Sequence, residues 1–284
     1  MKKIWYKVCV INHMKQFNLK RWAIIIVVPV LFSFVSGPEK DYRLMKNGSF
    51  FKGEKMKFRL HYGFFNAGEA YFEVHPDLYK VNNRTCYKIT VFGKSTGAFD
   101  MMIRIRDTWG SYMDTAALIS QRSYRDIEEN NYRLKEYVNF FPLEGRAHVE
   151  WHRKGEFHED YTVPSNVQDI ISGFYFLRTI DYHSLKKGDV VKVDAFFENE
   201  IYDFAVRYDG IENVKTKFGK IRAVKLTPLM PENGLFDGKN SITCWLSDDE
   251  NKMPLKVKAK MFVGAVEIDL ESFSGLKNPS CFKR

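Results

Sequence analysis

The chain has 284 residues, 45% of them hydrophobic and 15% aromatic, enough apolar side chain for a large core and too much for wholesale disorder. Its formal net charge is +9, yet residues 1–37 hold Lys2, Lys3, Lys7, Lys15, Lys20 and Arg21 and no acid, so two thirds of the excess sits at the N-terminus. The remainder is near balance and has no basic run after Arg43 of the kind a nucleic-acid footprint needs, so no nucleic-acid partner is expected.

The first element is a leader. Lys20-Arg21 precede the apolar run Trp22–Val35, which Pro29 and Ser33 interrupt and Ser36-Gly37-Pro38 ends. Positive charge, a short apolar stretch and then small residues is the layout of a secretory signal. The run is about 14 residues, against the roughly 20 that a membrane span needs. Residues 1–37 are therefore expected to be a signal peptide, or an N-terminal membrane anchor where Pro38 hinders cleavage. The long stretch before Lys20 also admits a start at Met14. A polar linker (38–49), one β domain (50–275) and a short tail (276–284) follow.

Strand signals dominate after the linker. Lys55–Tyr62 alternates, with Met56, Phe58, Leu60 and Tyr62 on one face and Lys55, Lys57, Arg59 and His61 on the other, as in a half-buried strand. Asn66-Ala67-Gly68 reads as the turn of a hairpin to Glu69–His75. Further strands are predicted at Thr85–Phe92, Asp107–Met113, Ser120–Glu129, Arg133–Phe140 and Gly145–Arg153. Later ones fall at Val190–Phe197, Glu200–Tyr208, Ile211–Thr216, Gly219–Thr227, Ile242–Leu246, Leu255–Met261 and Val263–Ser272. Ala98–Ile103 suits a single helical turn. Between the two sets of strands, apolar residues at 167, 170, 171, 174, 177 and 180 have helical spacing, and Ser165 with Gln168 fits a capping box. The predicted fold is all-β, an antiparallel barrel or sandwich, with one helix at about 166–181. Lys52–Phe58 and Lys187–Val193 resemble each other, so two similar β halves are one option and coincidence the other.

No catalytic motif survives its context. Gly93-Lys-Ser-Thr-Gly97 matches G-x-S-x-G, but a nucleophile elbow needs a parallel sheet with a helix after the turn, and Ser95 reads better as part of a small polar turn. His148, Glu150 and His152 share one strand face, yet their strand spacing puts the two histidines about 13 Å apart, far for two ligands of one ion. A solvated face is the plainer reading. Asp248-Asp249-Glu250 suits an exposed turn. No metal and no cofactor is expected. Cys86 and Cys244 lie in predicted strands, where a disulfide and a pair of buried thiols are both open readings.

Aromatic pairs (Phe64-Phe65, Phe140-Phe141, Tyr175-Phe176, Phe196-Phe197) place rings on both faces of their elements. That suggests strands covered on both sides, or a barrel whose interior admits an apolar ligand. Phe64, Phe65, Trp109, Tyr112, Phe174 and Trp245 are the candidate ligand contacts.

Several spaced motifs carry a resemblance. They are Gly53-Glu-Lys-Met-Lys-Phe-Arg-Leu-His-Tyr-Gly63 with Asn66-Ala-Gly-Glu-Ala70, Asp107-Thr-Trp-Gly-Ser-Tyr-Met-Asp114, Val163–Asp169 with Phe174–Arg178, Lys187-Gly-Asp189, Trp245–Asp249 with Met253-Pro254, and Gly264-Ala-Val266. The chain resembles the bacterial domain of unknown function 3108 over about residues 50–274. That resemblance implies an exported, mostly β protein of the periplasm or cell envelope, and implies no activity. The leading expectation is a protein that binds a lipid, glycolipid or similar amphiphile, with membrane contact through the leader. The alternatives are a non-catalytic assembly partner of other envelope proteins and, behind it, a hydrolase using Asp248, Asp249 or the His148 strand.

Overall fold

A computed structural model describes residues 41–152, 155–229, 241–261 and 264–282; the predicted leader lies outside the described residues. Fourteen strands form one antiparallel sheet among them. The first eight are β1 (Lys55–Tyr62), β2 (Phe65–Val81), β3 (Arg84–Ser95), β4 (Arg106–Asp114), β5 (Ser120–Glu129), β6 (Tyr132–Phe141), β7 (Arg146–His152) and β8 (Glu156–Thr162). A short helix α1 (Gly97–Met102) links β3 to β4. Helix α2 (Ile170–Leu177) then leads to β9 (Val190–Phe197), β10 (Glu200–Thr216), β11 (Gly219–Leu229), β12 (Ile242–Ser247), β13 (Pro254–Lys260) and β14 (Ala265–Ser274).

The order along the sheet is β8 to β1, then β14 down to β9. The chain meanders outward from β1 to the β8 edge, crosses by α2 to the opposite edge at β9, and meanders back until β14 pairs with β1. Sequence chemistry supports each step. Met56 and Phe58 are buried, while Lys55, Lys57 and Arg59 on the other face pair with Glu73, Glu69 and Glu271 of the neighbouring strands. Two-residue turns at Asn82-Asn83 and Glu198-Asn199 have both residues at positive φ, the conformation that matches the right-handed twist of a hairpin.

The sheet rolls until its edges meet. Phe196 of β9 packs on Phe140 of β6 and Tyr161 of β8, with ring centroids 6.1 and 5.5 Å apart. Phe197 lies over Trp109 of β4, and Arg125 of β5 reaches Glu198 at 3.3 Å. Helix α2 lies inside the roll, with Phe174 on Phe72 of β2 and Tyr175 on Phe50.

Four local expectations change. The hairpin turn lies at Gly63-Phe64, because Asn66 and Gly68 already pair as part of β2, with Ala67 at a bulge between them. Helix α2 begins at Ile170, not 166. Gln168 donates its N–H to Asp194 and accepts from Phe196, so this stretch is extended along β9 and cannot yet coil. The cap is consequently Asp169, which accepts from Ile171 and Ser172 while Ser172 Oγ accepts from the Asp169 N–H. Strand β8 went unpredicted because its Glu156, His158, Glu159 and Asp160 supply no apolar alternation. The two predicted strands over 200–216 are one, bent by a bulge at Tyr208/Gly210.

Candidate functional site

Strand pleating gives β9–β12 one continuous apolar face. Val193, Ala195 and Phe197 of β9, Phe204 and Val206 of β10, Leu226 and Pro228 of β11, and Cys244 and Leu246 of β12 line a cavity of about 780 Å³. Register explains the alignment: Phe204 pairs with Val193, Val206 with Pro228 and Leu226 with Cys244. Helix α2 forms the opposite wall through Ile170, Gly173, Phe174 and Leu177, the i, i+3, i+4, i+7 stripe of a single helical face.

The C-terminal end of the helix is tightly packed. Arg178, directly after α2, is fully buried and donates to both oxygens of Glu54 at 2.6 and 2.8 Å, and also to the carbonyl of Asn251. Phe50 and Tyr175 lie beside its guanidinium. At the other end, Ile170, Ile201 and Tyr202 line the cavity and yet are 44%, 46% and 39% exposed, which marks the mouth. Acids stand there: Tyr202 donates to Glu200, Asp203 is exposed, and Asp169 is buried under the first turn of α2. Burial pushes the Asp169 carboxyl up from its ordinary value, against hydrogen bonds from Ser111 and the helix N–H groups. Asp169 therefore belongs to the helix cap. The half-buried Cys244 thiol in the wall is pushed up to about 12 by desolvation, so it is an inert wall group at neutral pH.

Among the residues singled out from sequence, Phe174 stands in the cavity wall. Trp109 is next to it, under Phe197, lining a water-sized space of about 30 Å³ that shares Asp169, Ile170 and Phe197 with the large cavity. Tyr112 lies in an aromatic row with Tyr79 and Tyr124, away from the cavity. Trp245 points from the face opposite to Cys244 and Leu246 and donates its Nε1–H to Glu212. Phe64 and Phe65 are 103% and 72% exposed at the β1–β2 tip, beside the exposed Met101 and Met102 of α1. The wall residues of β9–β12 escaped notice, although their signal was present. Apolar residues recur at alternate positions in the predicted strands Val190–Phe197, Glu200–Tyr208 and Ile242–Leu246.

The catalytic candidates have local structural partners. Ser95 donates to Asp100 and accepts from the Ile105 N–H, tying down the turn around α1. Asp249 caps its own turn by accepting from Asn251 and Lys252, and Asp248 pairs with Arg222 and His183. These acids lie on the β12–β13 hairpin, and His148 lies on β7, each group held by separate partners. They do not converge. Cys86, Cys244 and Cys281 are free thiols. Cys86 lies in β3 opposite Asp114, where burial pushes it up to about 12.

A rolled antiparallel sheet around one helix, with an apolar space between them, defines a β-barrel-like protein. The family model for proteins of unknown function DUF3108 matches residues 57–271, and the chain belongs to that family. Its fold is similar to the crystal structure of a β-barrel-like protein of domain of unknown function DUF1849 from Brucella abortus, with a TM-score of 0.53 at 10% identity, covering 80% of this chain and 98% of that one. A more distant likeness is to a protein with a YmcC-like fold from Bacteroides fragilis, with a TM-score of 0.34 at 7% identity over 82% of this chain and 100% of that one. No curated protein sequence matches the chain.

Proposed function

We propose that this protein is an exported envelope protein that holds the apolar part of an amphiphile, such as a lipid or glycolipid, in the cavity between α2 and β9–β12. The cavity itself carries the reading. It is an apolar-walled space of about 780 Å³ that opens to solvent at its mouth, large enough to take an acyl chain. Water needs two to four polar partners, and these walls offer almost none. An acyl chain needs only apolar contact, and the volume falls within the range of small-molecule sites. The acids at the mouth favour a head group that is neutral or cationic over one carrying exposed phosphate. The charge and length of the leader support export.

The test is binding of a fluorescent fatty amine or monoacylglycerol to the purified protein, with native mass spectrometry of material taken directly from the envelope. One ligand per chain is expected, lost in Cys244→Trp and Ala195→Trp, whose indoles occupy the cavity. A wild-type protein that takes up no probe and carries no adduct sinks the reading. A second reading, docking to another envelope protein, is favoured by the exposed Phe64, Phe65, Met101 and Met102. A photo-crosslinker at position 64 that captures no protein in the envelope disposes of it.

A further inference from the structure

Two groups of three side chains, each combining histidine and carboxylate, bring their ligand atoms close together among the described residues. In the first, His61, Glu267 and Asp269 lie close, but Lys256 reaches Glu267 at 2.6 Å and Asp269 at 3.4 Å, and Lys258 reaches Glu267 at 2.7 Å. Two ammonium groups already neutralise those acids. The second group lies on the β7–β8 hairpin at the sheet edge. Here His148, Glu150 and His158 each offer an atom within 4.8 Å of the others.

The pairing of the hairpin explains this convergence. Glu150 stands directly opposite His158, and His148 opposite Asp160, so all four project from one face. The His148 and His158 rings stack with centroids 5.9 Å apart. His148 Nδ1 lies 2.8 Å from Asp160 Oδ1. An ionised carboxylate only accepts, so Nδ1 carries a proton. Nε2, the other ring nitrogen, faces Glu150 and lies 3.5 Å from its Oε1. Among the described residues no ammonium or guanidinium pairs with Glu150; the nearby Arg146 is taken up by Glu144 and Asp160.

We propose that His148, His158 and Glu150 form a site for a divalent transition ion of the zinc type, with Asp160 as the carboxylate that orients His148. Two imidazoles and one carboxylate, with a further position open, is a donor set that suits zinc. A carboxylate behind the ligating imidazole is the usual outer partner, because it fixes the tautomer and raises the basicity of Nε2. Zinc bonds of about 2.0–2.1 Å put tetrahedral ligand atoms ~3.4 Å apart, so binding draws the three side chains together. All three are at least partly exposed and can close in by changing rotamer. The ion joins β7 to β8 and fastens the strand that ends the sheet.

From sequence, the pair weighed as ligands, and set aside for its strand spacing, is His148 and His152. In the structure His152 pairs instead with Glu156, with Nδ1 and Oε1 3.9 Å apart, outside the cluster. That contrast supplies the experiment. Zinc is titrated by calorimetry into the full-length protein, and cobalt uptake is followed by its visible absorption. One ion per chain is expected. His148→Ala, His158→Ala and Glu150→Gln should each weaken binding at least tenfold, while His152→Ala and His61→Ala leave it unchanged. Circular dichroism of the metal-free variants should match the wild type, because the altered side chains face solvent. No stoichiometric uptake by the wild type, or loss in His152→Ala with binding retained in His158→Ala, overturns the site. If one variant fails to fold, the other two decide the question.

Discussion

The two ends of helix α2 live in opposite regimes. At its C-terminal end Arg178, Glu54, Asn251, Phe50 and Tyr175 are all buried, and the guanidinium is bonded on several sides. Along the stripe Ile170, Gly173, Phe174 and Leu177, the same helix faces about 780 Å³ of space walled by apolar strands. A packed core leaves few voids larger than a water molecule. The chain therefore packs one part of its interior tightly and keeps another open. The difference teaches which part is there to be filled: the closed end anchors the helix so that the open face stays at a fixed distance from β9–β12.

The largest effect should come from breaking the closed end. Arg178→Met leaves the Glu54 carboxylate buried without its partner and should cost about 3–5 kcal/mol in urea unfolding. Arg178→Met with Glu54→Leu should recover much of that loss, since a buried pair can be replaced by packed apolar groups. No recovery would mean that the end is not held by this pair.

Next in size is a direct comparison of two alanines. Ala223→Leu adds volume to a fully buried position of β11 and should destabilise by about 1–3 kcal/mol. Ala195→Leu adds the same atoms to the cavity wall and should change stability by less than about 0.5 kcal/mol. Equal costs in thermal unfolding would refute the contrast between the two regions. At the mouth, Asp169→Ala removes the cap of α2 and should cost about 1 kcal/mol, most of it restored in Asp169→Asn, which keeps an accepting oxygen.

The smallest effect separates the interior from the outer face of the sheet. Hydrogen bonds from Lys57, and then from Tyr71, hold the Glu69 carboxyl at about 2, against an ordinary 4.5. A depressed folded value means that its contribution is complete above pH 4.5 and is lost as the pH falls toward 2. Glu69→Gln should flatten the acid limb of a stability curve while leaving ligand uptake by the cavity unchanged.

Much of the fold was legible because a strand's period of two is a local property. Lys55–Tyr62 and Val190–Phe197 alternate or carry β-branched and aromatic runs, and both are strands with those bounds. Strand β8 was not legible, since an edge exposed to solvent on one side needs no apolar stripe, and charge is what protects it from pairing with other chains. The start of α2 was misplaced for a non-local reason. Val167 fits the helical spacing and Gln168 the capping box, but the edge of β9 captures the Gln168 backbone first.

The candidate sites show the same division. Alternation by itself determined that residues 193, 195 and 197, or 202, 204 and 206, share a face, and residue chemistry determined that those faces are mostly apolar. It could not show that four such faces meet one helix, because register between strands depends on hairpin turns and bulges such as that at Tyr208/Gly210. Nor could it show that His158, ten residues from His148, rather than His152 comes to lie beside it. Along one strand, two residues four apart are separated by about 13 Å. Across a hairpin, distant residues become neighbours, and only the tertiary structure decides which ones.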